Sequence, residues 1–217
     1  MSHAILIVGA GRVGAALGRR WLELGHDVRF GVPDPDSPKY AGLPRERLQP
    51  AAERRGAAIV VFATPYAALA PAANALGDLH GAIVIDCTNP IGMGPRGLGL
   101  VVGRDTSAAE QLAALTPGAH VFKTLNQTGA ENLADAAAYH PKPMMFVAGD
   151  DAEKKPVVLE LVRELGFDAI DSGPLVTARL LEPLAMLWIE LALKRGHSRA
   201  FAFARVRHPH SPSPEGT

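Results

Sequence analysis

The glycines at positions 9, 11 and 14 form the clearest chemical pattern in this sequence. The pattern G-x-G-x-x-G directly follows the apolar run AILIV of residues 4–8, and its residues are Gly9, Ala10, Gly11, Arg12, Val13 and Gly14. Such glycines permit a tight turn, close approach of the backbone to a pyrophosphate, and close packing of the next helix on the strand. The N–H groups at that helix start attract phosphate anions. The pattern therefore predicts a dinucleotide-binding turn, against the simpler interpretation of a glycine turn kept only for packing.

The end of the second apolar segment decides which dinucleotide is expected. An NAD-binding chain carries Asp or Glu there to accept a hydrogen bond from the adenosine ribose. That position falls near Val32 and Pro33, and neither side chain can accept such a bond. An NADP site instead needs cations for the 2′-phosphate, and the candidates are Arg12, Lys39 and Arg45. We therefore expect NADP(H), with NAD(H) as the alternative if Asp34 bends back towards the ribose.

Strands and helices alternate along the chain that must position this turn. Apolar runs predict strands at 4–8, 26–32, 57–65, 82–90, 120–125, 144–149 and 167–171. Helical patterns follow the glycine turn and recur at 66–76, 108–115, 151–166 and 175–194. Ser107 and Glu110 make a capping box at the start of the helix at 108–115. The alternation predicts an α/β protein with a Rossmann-type, doubly wound parallel sheet.

The boundaries of the expected domain follow from the same pattern. We predict one NAD(P)-binding oxidoreductase domain over 1–204, with a Rossmann core to about 140 and a small α/β extension over about 141–204. That extension ends in a long apolar helix from Leu175 to Lys194, which suits a core or a subunit interface. The glycine-rich segment 92–103 is predicted to be a loop. The proline-rich tail 205–217 is predicted to be disordered.

Composition excludes several classes of protein. The chain has 22 basic and 22 acidic side chains, so its formal charge is zero, and we expect neither nucleic acid nor membrane as a partner. One cysteine, Cys87, rules out an internal disulfide framework, and the histidines show no metal-ligand spacing, so no metal is expected. The start of the chain lacks the features of a signal peptide, so we expect a cytoplasmic protein that acts on small molecules.

Seven segments, taken in order, resemble one known family. They are GHDVRFGV, FATPYAAL, VIDCTNPIG, TSAAEQLAAL, KTLNQTGAENLAD, FVAGDD and GPLVTARLLEPLAMLWIELAL. Together they resemble the NADP oxidoreductases that use the deazaflavin coenzyme F-420, and the wider group of dinucleotide-binding enzymes around them. They are also similar to the reductase domain of the six-transmembrane ferric reductases. The resemblance runs from Ile5 to about Phe203 and implies a homodimer with NADP across the carboxyl edge of the sheet.

The resemblance also implies a set of site residues. The cofactor path would be lined by Ala63, Thr64, Pro65, Asn89, Pro90 and Ile91, in addition to the glycine turn and to Val32 and Pro33. The loop beside the nicotinamide and the hydride acceptor would be formed by Asn126, Gln127 and Thr128. Asn126 could orient the nicotinamide amide or the acceptor ring, although an asparagine that caps the loop is an equally good interpretation.

Hydride transfer between two rings needs little acid–base chemistry, so we assign no catalytic acid. The leading hypothesis is an oxidoreductase that transfers a hydride between NADP(H) and a deazaflavin or flavin. The alternatives are an NAD(P)-dependent reductase of a small carbonyl or imine, and a dinucleotide-binding sensor without turnover. Lys123 could contact a phosphate or an acidic coenzyme tail, or form a surface ion pair. Cys87 is interpreted as a small core residue rather than a nucleophile.

Overall fold

The architecture comes from a computed structural model that describes residues 1–95, 97–206 and 208. Eight strands of this part form one sheet. They are β1 (Ala4–Val8), β2 (Asp27–Val32), β3 (Leu48–Pro50), β4 (Ile59–Phe62), β5 (Ile83–Asp86), β8 (His120–Lys123), β9 (Met144–Gly149) and β10 (Asp168–Asp171). Between β5 and β8 the chain also forms a separate two-stranded hairpin, made of β6 (Ile91–Gly94) and β7 (Gly97–Leu100).

The strand order of the sheet is β10-β9-β8-β5-β4-β1-β2-β3. Neighbouring strands are parallel except β8 and β9, which are antiparallel, so β9 and β10 run against the other six. The order changes direction between β1 and β4, and ligands of open α/β sheets bind in the crevice at the carboxyl ends of strands at such a point. The predicted Rossmann-type fold is confirmed, as a mostly parallel rather than wholly parallel sheet.

Six helices of the described chain accompany the sheet: α1 (Arg12–Glu23), α2 (Leu69–Leu76), α3 (Ala108–Leu115), α4 (Ala130–Ala134), α5 (Lys155–Glu164) and α6 (Ala178–Lys194). Alternate residues of β1 enter two cores: Ile5 and Ile7 pack with the apolar faces of α1 and α5, whereas Leu6 and Val8 pack with those of α2 and α3. Because both faces of the central strands are covered, the sequences of these strands are continuous apolar runs.

The segment 92–103 differs from its prediction. Ile91 pairs with Leu100 and Met93 with Leu98 in the β6–β7 hairpin, and Gly97 turns the chain with φ of +86°. Glycines alternate with apolar residues here, which is the period of a strand, but their number suggested a loop.

The ends of the remaining elements match the sequence closely. The side chain of Ser107 accepts a hydrogen bond from the N–H of Glu110, as the capping box predicts. The C-terminal helix begins at Ala178, after a 3-10 turn at Leu175–Thr177.

The disorder expected over 205–217 falls largely on residues 207 and 209–217, which lie outside the described residues. Within the part of the chain that the structure describes, no helix is both long and apolar enough to span a bilayer.

Candidate functional site

A cleft of about 960 Å³ opens at the carboxyl edge of the sheet, beside the start of α1. It lies where the strand order changes direction, between the glycine turn, the segments that follow β2 and β4, and helix α4. Eight of the predicted cofactor residues line it: Gly9, Ala10, Gly11, Arg12, Pro33, Ala63, Thr64 and Pro65. Residues more than fifty positions apart in the sequence therefore meet in one concave surface of the size that ligand sites usually have.

The glycine turn fits a phosphate group. A Cβ at Gly9 would lie 2.8 Å from the carbonyl oxygen of Ala63, and one at Gly14 would lie 2.0 Å from that of Gly9. At Gly11 a Cβ would meet no atom of the described chain within 4 Å, because this residue faces the cleft. In the described residues α1 has neither a side-chain cap nor an acidic residue in its first turn. The N–H groups and the dipole of that turn are therefore available to an anion.

The other predicted cofactor residues lie apart from the wall of this cleft. Val32 is fully buried in the core, so its side chain points away from the cleft, and Val13 packs partly buried against the same core. Gly14 is buried beneath the turn. Asn89, Pro90 and Ile91 follow β5 and form a second region further along the carboxyl edge, next to the predicted acceptor loop.

Asn126 is the centre of a hydrogen-bond network in this second region. Its Nδ2 donates to Oδ1 of Asn89 at 3.0 Å and to the carbonyl oxygen of Leu181 at 3.3 Å. Its Oδ1 accepts from Nε2 of Gln127 at 2.9 Å, and Asn89 Nδ2 donates to the backbone oxygen of Asn126 at 2.9 Å. Gln127 in turn bonds both the N–H and the carbonyl oxygen of Phe146. The amide side chains thus brace the loop, and a contact of Asn126 with a ring stays a prediction.

The backbone at this loop is strained. Leu125, buried beneath it, has φ of +59°, a left-handed conformation that costs a non-glycine residue of order 1 kcal/mol or more. Thr128 closes the loop by accepting a hydrogen bond from Nδ2 of Asn132 at 2.8 Å. A strained residue held by a satisfied network indicates that the precise shape of this loop matters.

Lys123 does not form the surface contact that the sequence suggested. It is fully buried, and its Nζ lies 2.9 Å from Oδ2 of Asp86, 2.9 Å from Oε1 of Glu182 and 2.5 Å from the carbonyl oxygen of Thr88. A lysine at a strand end gives no sign of burial until the strand's neighbours are known, which is why its sequence context misled. Cys87, next to Asp86, is buried as the core interpretation predicts, and burial raises the pKa of its thiol.

Three threonines lie at the carboxyl edge of the sheet. Thr64, Thr88 and Thr124 each follow the end of a neighbouring strand, β4, β5 and β8. None of the described residues gives their buried hydroxyl oxygens a hydrogen-bond partner. Buried hydroxyls are rarely left unpaired without a reason, and their shared position points to the carboxyl edge as the functional edge.

The three candidate cations have different surroundings. Arg12 lines the cleft and forms an ion pair with Glu131 of α4. Lys39 lines the cleft, with its Nζ 4.7 Å from the centroid of the Tyr40 ring. Arg45 is outside the cleft wall formed by the described residues and pairs with Asp36.

Sequence reasoning missed part of the cleft wall. The structure adds Ala15, Ala16, Arg19, Arg20 and Glu23 on one face of α1, Tyr40 after β2, Ala68 after β4, and Ala130, Glu131 and Ala134 on α4. The helical spacing of Arg12, Arg19 and Glu23 could have indicated a common face of α1. Nothing in the sequence indicates that α4 packs across that face.

A glycine turn between a buried strand and a helix, at the switch point of a mostly parallel sheet, defines a Rossmann-type dinucleotide-binding protein. Residues 4–90 match the family model described as NADP oxidoreductase, coenzyme F420-dependent. A crystal structure from Arthrobacter sp. FB24, described as an F420-dependent NADP-reductase, is 31% identical with a TM-score of 0.86, over 95% of this chain and 100% of that one. The chain belongs to this family, and it is an NADP-dependent oxidoreductase.

Two further relatives are more distant. The metalloreductase STEAP3 of Rattus norvegicus is 29% identical over 189 residues, which are 83% of this chain but only 36% of the rat protein, so the chain spans about a third of that relative. A reductive aminase from Aspergillus terreus in complex with NADPH is 21% identical with a TM-score of 0.63, over 90% of this chain and 64% of that one. This second likeness shows the fold alone.

Proposed function

We propose that the protein transfers a hydride between NADP(H) and a deazaflavin or flavin ring. The observation that carries the proposal is the chemistry of the acceptor loop: Asn126, Gln127 and Thr128 offer amides and a hydroxyl, and none of them gives up a proton readily at neutral pH. Ring-to-ring hydride transfer needs positioning rather than a strong acid, whereas reduction of a carbonyl needs a proton donor. The Arthrobacter relative, described as F420-dependent, supports the deazaflavin.

The chain's own residues would bind and orient. The first turn of α1 would hold the pyrophosphate, with Gly11 allowing its approach, and Ala63, Thr64 and Pro65 would line the path along the cleft. When bound, the nicotinamide supplies the hydride chemistry. The braced turns at Asn89–Ile91 and Asn126–Thr128 would fix the geometry of the reacting rings and exclude water.

An acceptor panel tests this function. The purified chain is mixed anaerobically with NADPH and, separately, with F-420, FMN and FAD, and oxidation is followed at the nicotinamide absorption band. We expect oxidation with at least one of these rings and none in a Gly11→Asp control. A parallel panel of small ketones and cyclic imines covers the competing reductase activity. Turnover only in that panel, or tight NADPH binding without turnover on any acceptor, would overturn the proposal in favour of the carbonyl reductase or the sensor.

We also propose that the protein is a homodimer that associates through α6. Leu180 and Leu187 lie seven positions apart on this helix, so they share a face, and their side chains are 69% and 51% exposed. Exposed Met93 and Val101 belong to the hairpin region, and β7 packs on α6, with Lys194 Nζ 3.5 Å from the carbonyl oxygen of Leu98. Exposed apolar side chains on a helix and on the hairpin that packs against it are typical of a subunit interface.

A further inference from the structure

Glu131 is a carboxylate that lines the cleft and contacts Arg12 of the glycine turn. It stands in the first turn of α4, and α4 packs across α1 so that Ala130, Glu131 and Ala134 form one wall of the cleft. Its Oε1 accepts a hydrogen bond from the guanidinium of Arg12, the residue that begins α1. A negative charge at this place opposes the binding of phosphate groups, so its presence needs an explanation.

A second arginine holds the same carboxylate oxygen. Nε of Arg199 lies 2.9 Å from Oε1 of Glu131, and its guanidinium lies 5.7 Å from the centroid of the Trp188 ring. The segment that carries Arg199 is fixed, because Trp188 Nε1 and Asn132 Nδ2 both donate to the carbonyl oxygen of Phe201, at 2.9 Å and 2.7 Å. Arg199 therefore anchors Glu131 from a segment that is separate from the glycine turn.

The charges and exposures of these three residues allow exchange of partners. The hydrogen bond from Arg199 lowers the pKa of Glu131, so the carboxylate is ionised at neutral pH. The side chain of Arg12 is 69% exposed, against 37% for Glu131 and 34% for Arg199. Of the two arginines, Arg12 is thus the one that is free to turn towards a ligand in the cleft. A phosphate of the dinucleotide and Glu131 would be alternative anionic partners for the same guanidinium.

We propose that Glu131 competes with a phosphate group of the dinucleotide for Arg12, and that it thereby weakens cofactor binding and speeds cofactor release. Arg199 limits this competition because it shares the charge of Glu131. The inference rests on the assignment of the cleft to NADP(H), and it does not depend on which acceptor takes the hydride. The competing phosphate is either the 2′-phosphate or the pyrophosphate. Comparing NADPH with NADH distinguishes them, because only NADPH carries the 2′-phosphate.

The first experiment measures the Kd of NADPH and of NADH, without any acceptor, for the wild type and for Glu131→Gln. We expect Glu131→Gln to bind NADPH about two- to tenfold more tightly, the range expected when a partly exposed ion pair no longer has to be broken. The same gain for NADH identifies the pyrophosphate, and a gain for NADPH alone identifies the 2′-phosphate. Glu160→Gln is the matched control, because Glu160 also pairs with an arginine, Arg163, but lies exposed on α5, outside the cleft; its effect should stay below about twofold.

Two further variants test the route through Arg12. In an Arg12→Ala background, Glu131→Gln should no longer change the Kd of NADPH. Arg199→Gln should have the opposite effect and weaken NADPH binding, because Glu131 then pairs with Arg12 alone and holds it more strongly. This effect should vanish in the double variant that also carries Glu131→Gln. Thermal melting of each variant checks that the fold is kept.

The outcomes that overturn the inference are distinct. If a folded Glu131→Gln variant binds NADPH no more tightly than the wild type, Glu131 does not compete for Arg12. If Glu131→Gln tightens NADPH binding equally in the wild-type and Arg12→Ala backgrounds, Glu131 acts by repelling the phosphate directly and not through Arg12. If the wild type binds neither dinucleotide, the assignment of the cleft falls together with this inference. Failure of the acceptor panel leaves all these Kd measurements valid.

Discussion

Lys123 and Glu182 are joined by a 2.9 Å contact between Nζ and Oε1, with both side chains almost completely buried. Burial alone would lower the pKa of Lys123, but the carboxylates of Asp86 and Glu182 raise it above its ordinary value, so the ammonium group stays charged. Glu182 also accepts hydrogen bonds from the N–H groups of Ala108 and Ala109 at the start of α3. One lysine therefore ties the ends of β5 and β8 to α3 and α6, directly behind the acceptor loop.

Replacing Lys123 should destabilise the protein strongly. Lys123→Met leaves the carboxylates of Asp86 and Glu182 buried without their cation, which costs about 3–5 kcal/mol of unfolding free energy. Lys194→Met is the control, because Lys194 is exposed and pairs with Glu190 on the surface, where a pair contributes at most about 1 kcal/mol. Urea denaturation of both variants measures the difference. Equal losses in the two variants would show that the buried cluster is no stronger than a surface pair.

The pair of Glu110 and Arg179 should make stability depend on pH in the acid range. Nε and Nη2 of Arg179 donate to the two carboxylate oxygens of Glu110 at 2.9 and 2.7 Å, and these bonds lower the pKa of Glu110. A lowered pKa in the folded state gives stability that is complete above the ordinary glutamate pKa, about 4.3, and is lost as the pH falls through the lowered value.

The variant Glu110→Gln isolates this effect, because glutamine preserves the capping box with Ser107 but carries no charge. We expect the wild type to be more stable at pH 7, and the advantage over Glu110→Gln to shrink as the pH falls below about 4. Denaturation curves of both proteins, recorded from about pH 3 to about pH 7, measure the difference between their free energies of unfolding. An advantage that is constant over this range would mean that the ion pair does not contribute.

Two glycines of the phosphate turn should respond in opposite ways to substitution. Gly11 is the N-cap of α1 and has open space around it, so Gly11→Asp should fold normally, since aspartate is a favourable N-cap. Its carboxylate would nevertheless repel the pyrophosphate and abolish NADPH binding. Gly14→Ala should instead destabilise the fold, because the new Cβ would lie 2.0 Å from the carbonyl oxygen of Gly9. Melting temperature and NADPH titration separate the two effects, and full affinity in folded Gly11→Asp would refute the assigned site.

The sequence was sufficient for the fold and for the phosphate turn because both depend on local patterns. Buried parallel strands such as β1 and β4 are continuous apolar runs, and the spacing of Gly9, Gly11 and Gly14 is set by the turn itself. The division of the chain near residue 140 and the role of each site residue stay predictions. The hairpin at Ile91–Leu100 was missed because glycine lowers strand propensity, although its pairing fits the alternation of the residues.

What the sequence could not predict are contacts that depend on how distant elements pack. Lys123 seemed a surface residue at a strand end, yet Asp86 from β5 and Glu182 from α6 enclose it. Arg12 seemed free to bind phosphate, yet α4 places Glu131 beside it. In both cases the partner is far along the chain, and neither helix periodicity nor strand alternation gives the relative placement of two elements.

The choice between NADPH and NADH should depend on Lys39 and not on Arg45. Lys39 lines the cleft near Pro33, where the second strand ends, whereas Arg45 is held on the surface by Asp36. A charge-assisted contact to the 2′-phosphate contributes about 1.5–3 kcal/mol, so Lys39→Ala should reduce the preference for NADPH at least about tenfold. Arg45→Ala is the matched control and should leave the ratio of the two dissociation constants unchanged. An unaltered ratio in Lys39→Ala would contradict this prediction and would indicate that Arg12 or Arg19 contacts the 2′-phosphate instead.

The proposed dimer should depend on the exposed leucines of α6. Leu187→Glu places a charge on the face of α6 that carries the exposed Leu180 and Leu187, and desolvating that charge on association would cost on the order of several kcal/mol. Leu24→Glu is the control, because Leu24 is also an exposed leucine but lies at the end of α1. Sedimentation velocity at micromolar concentration should show a dimer for the wild type and for Leu24→Glu, and a monomer for Leu187→Glu. A monomeric wild type rules out the dimer, and a dimeric Leu187→Glu places the interface on another face.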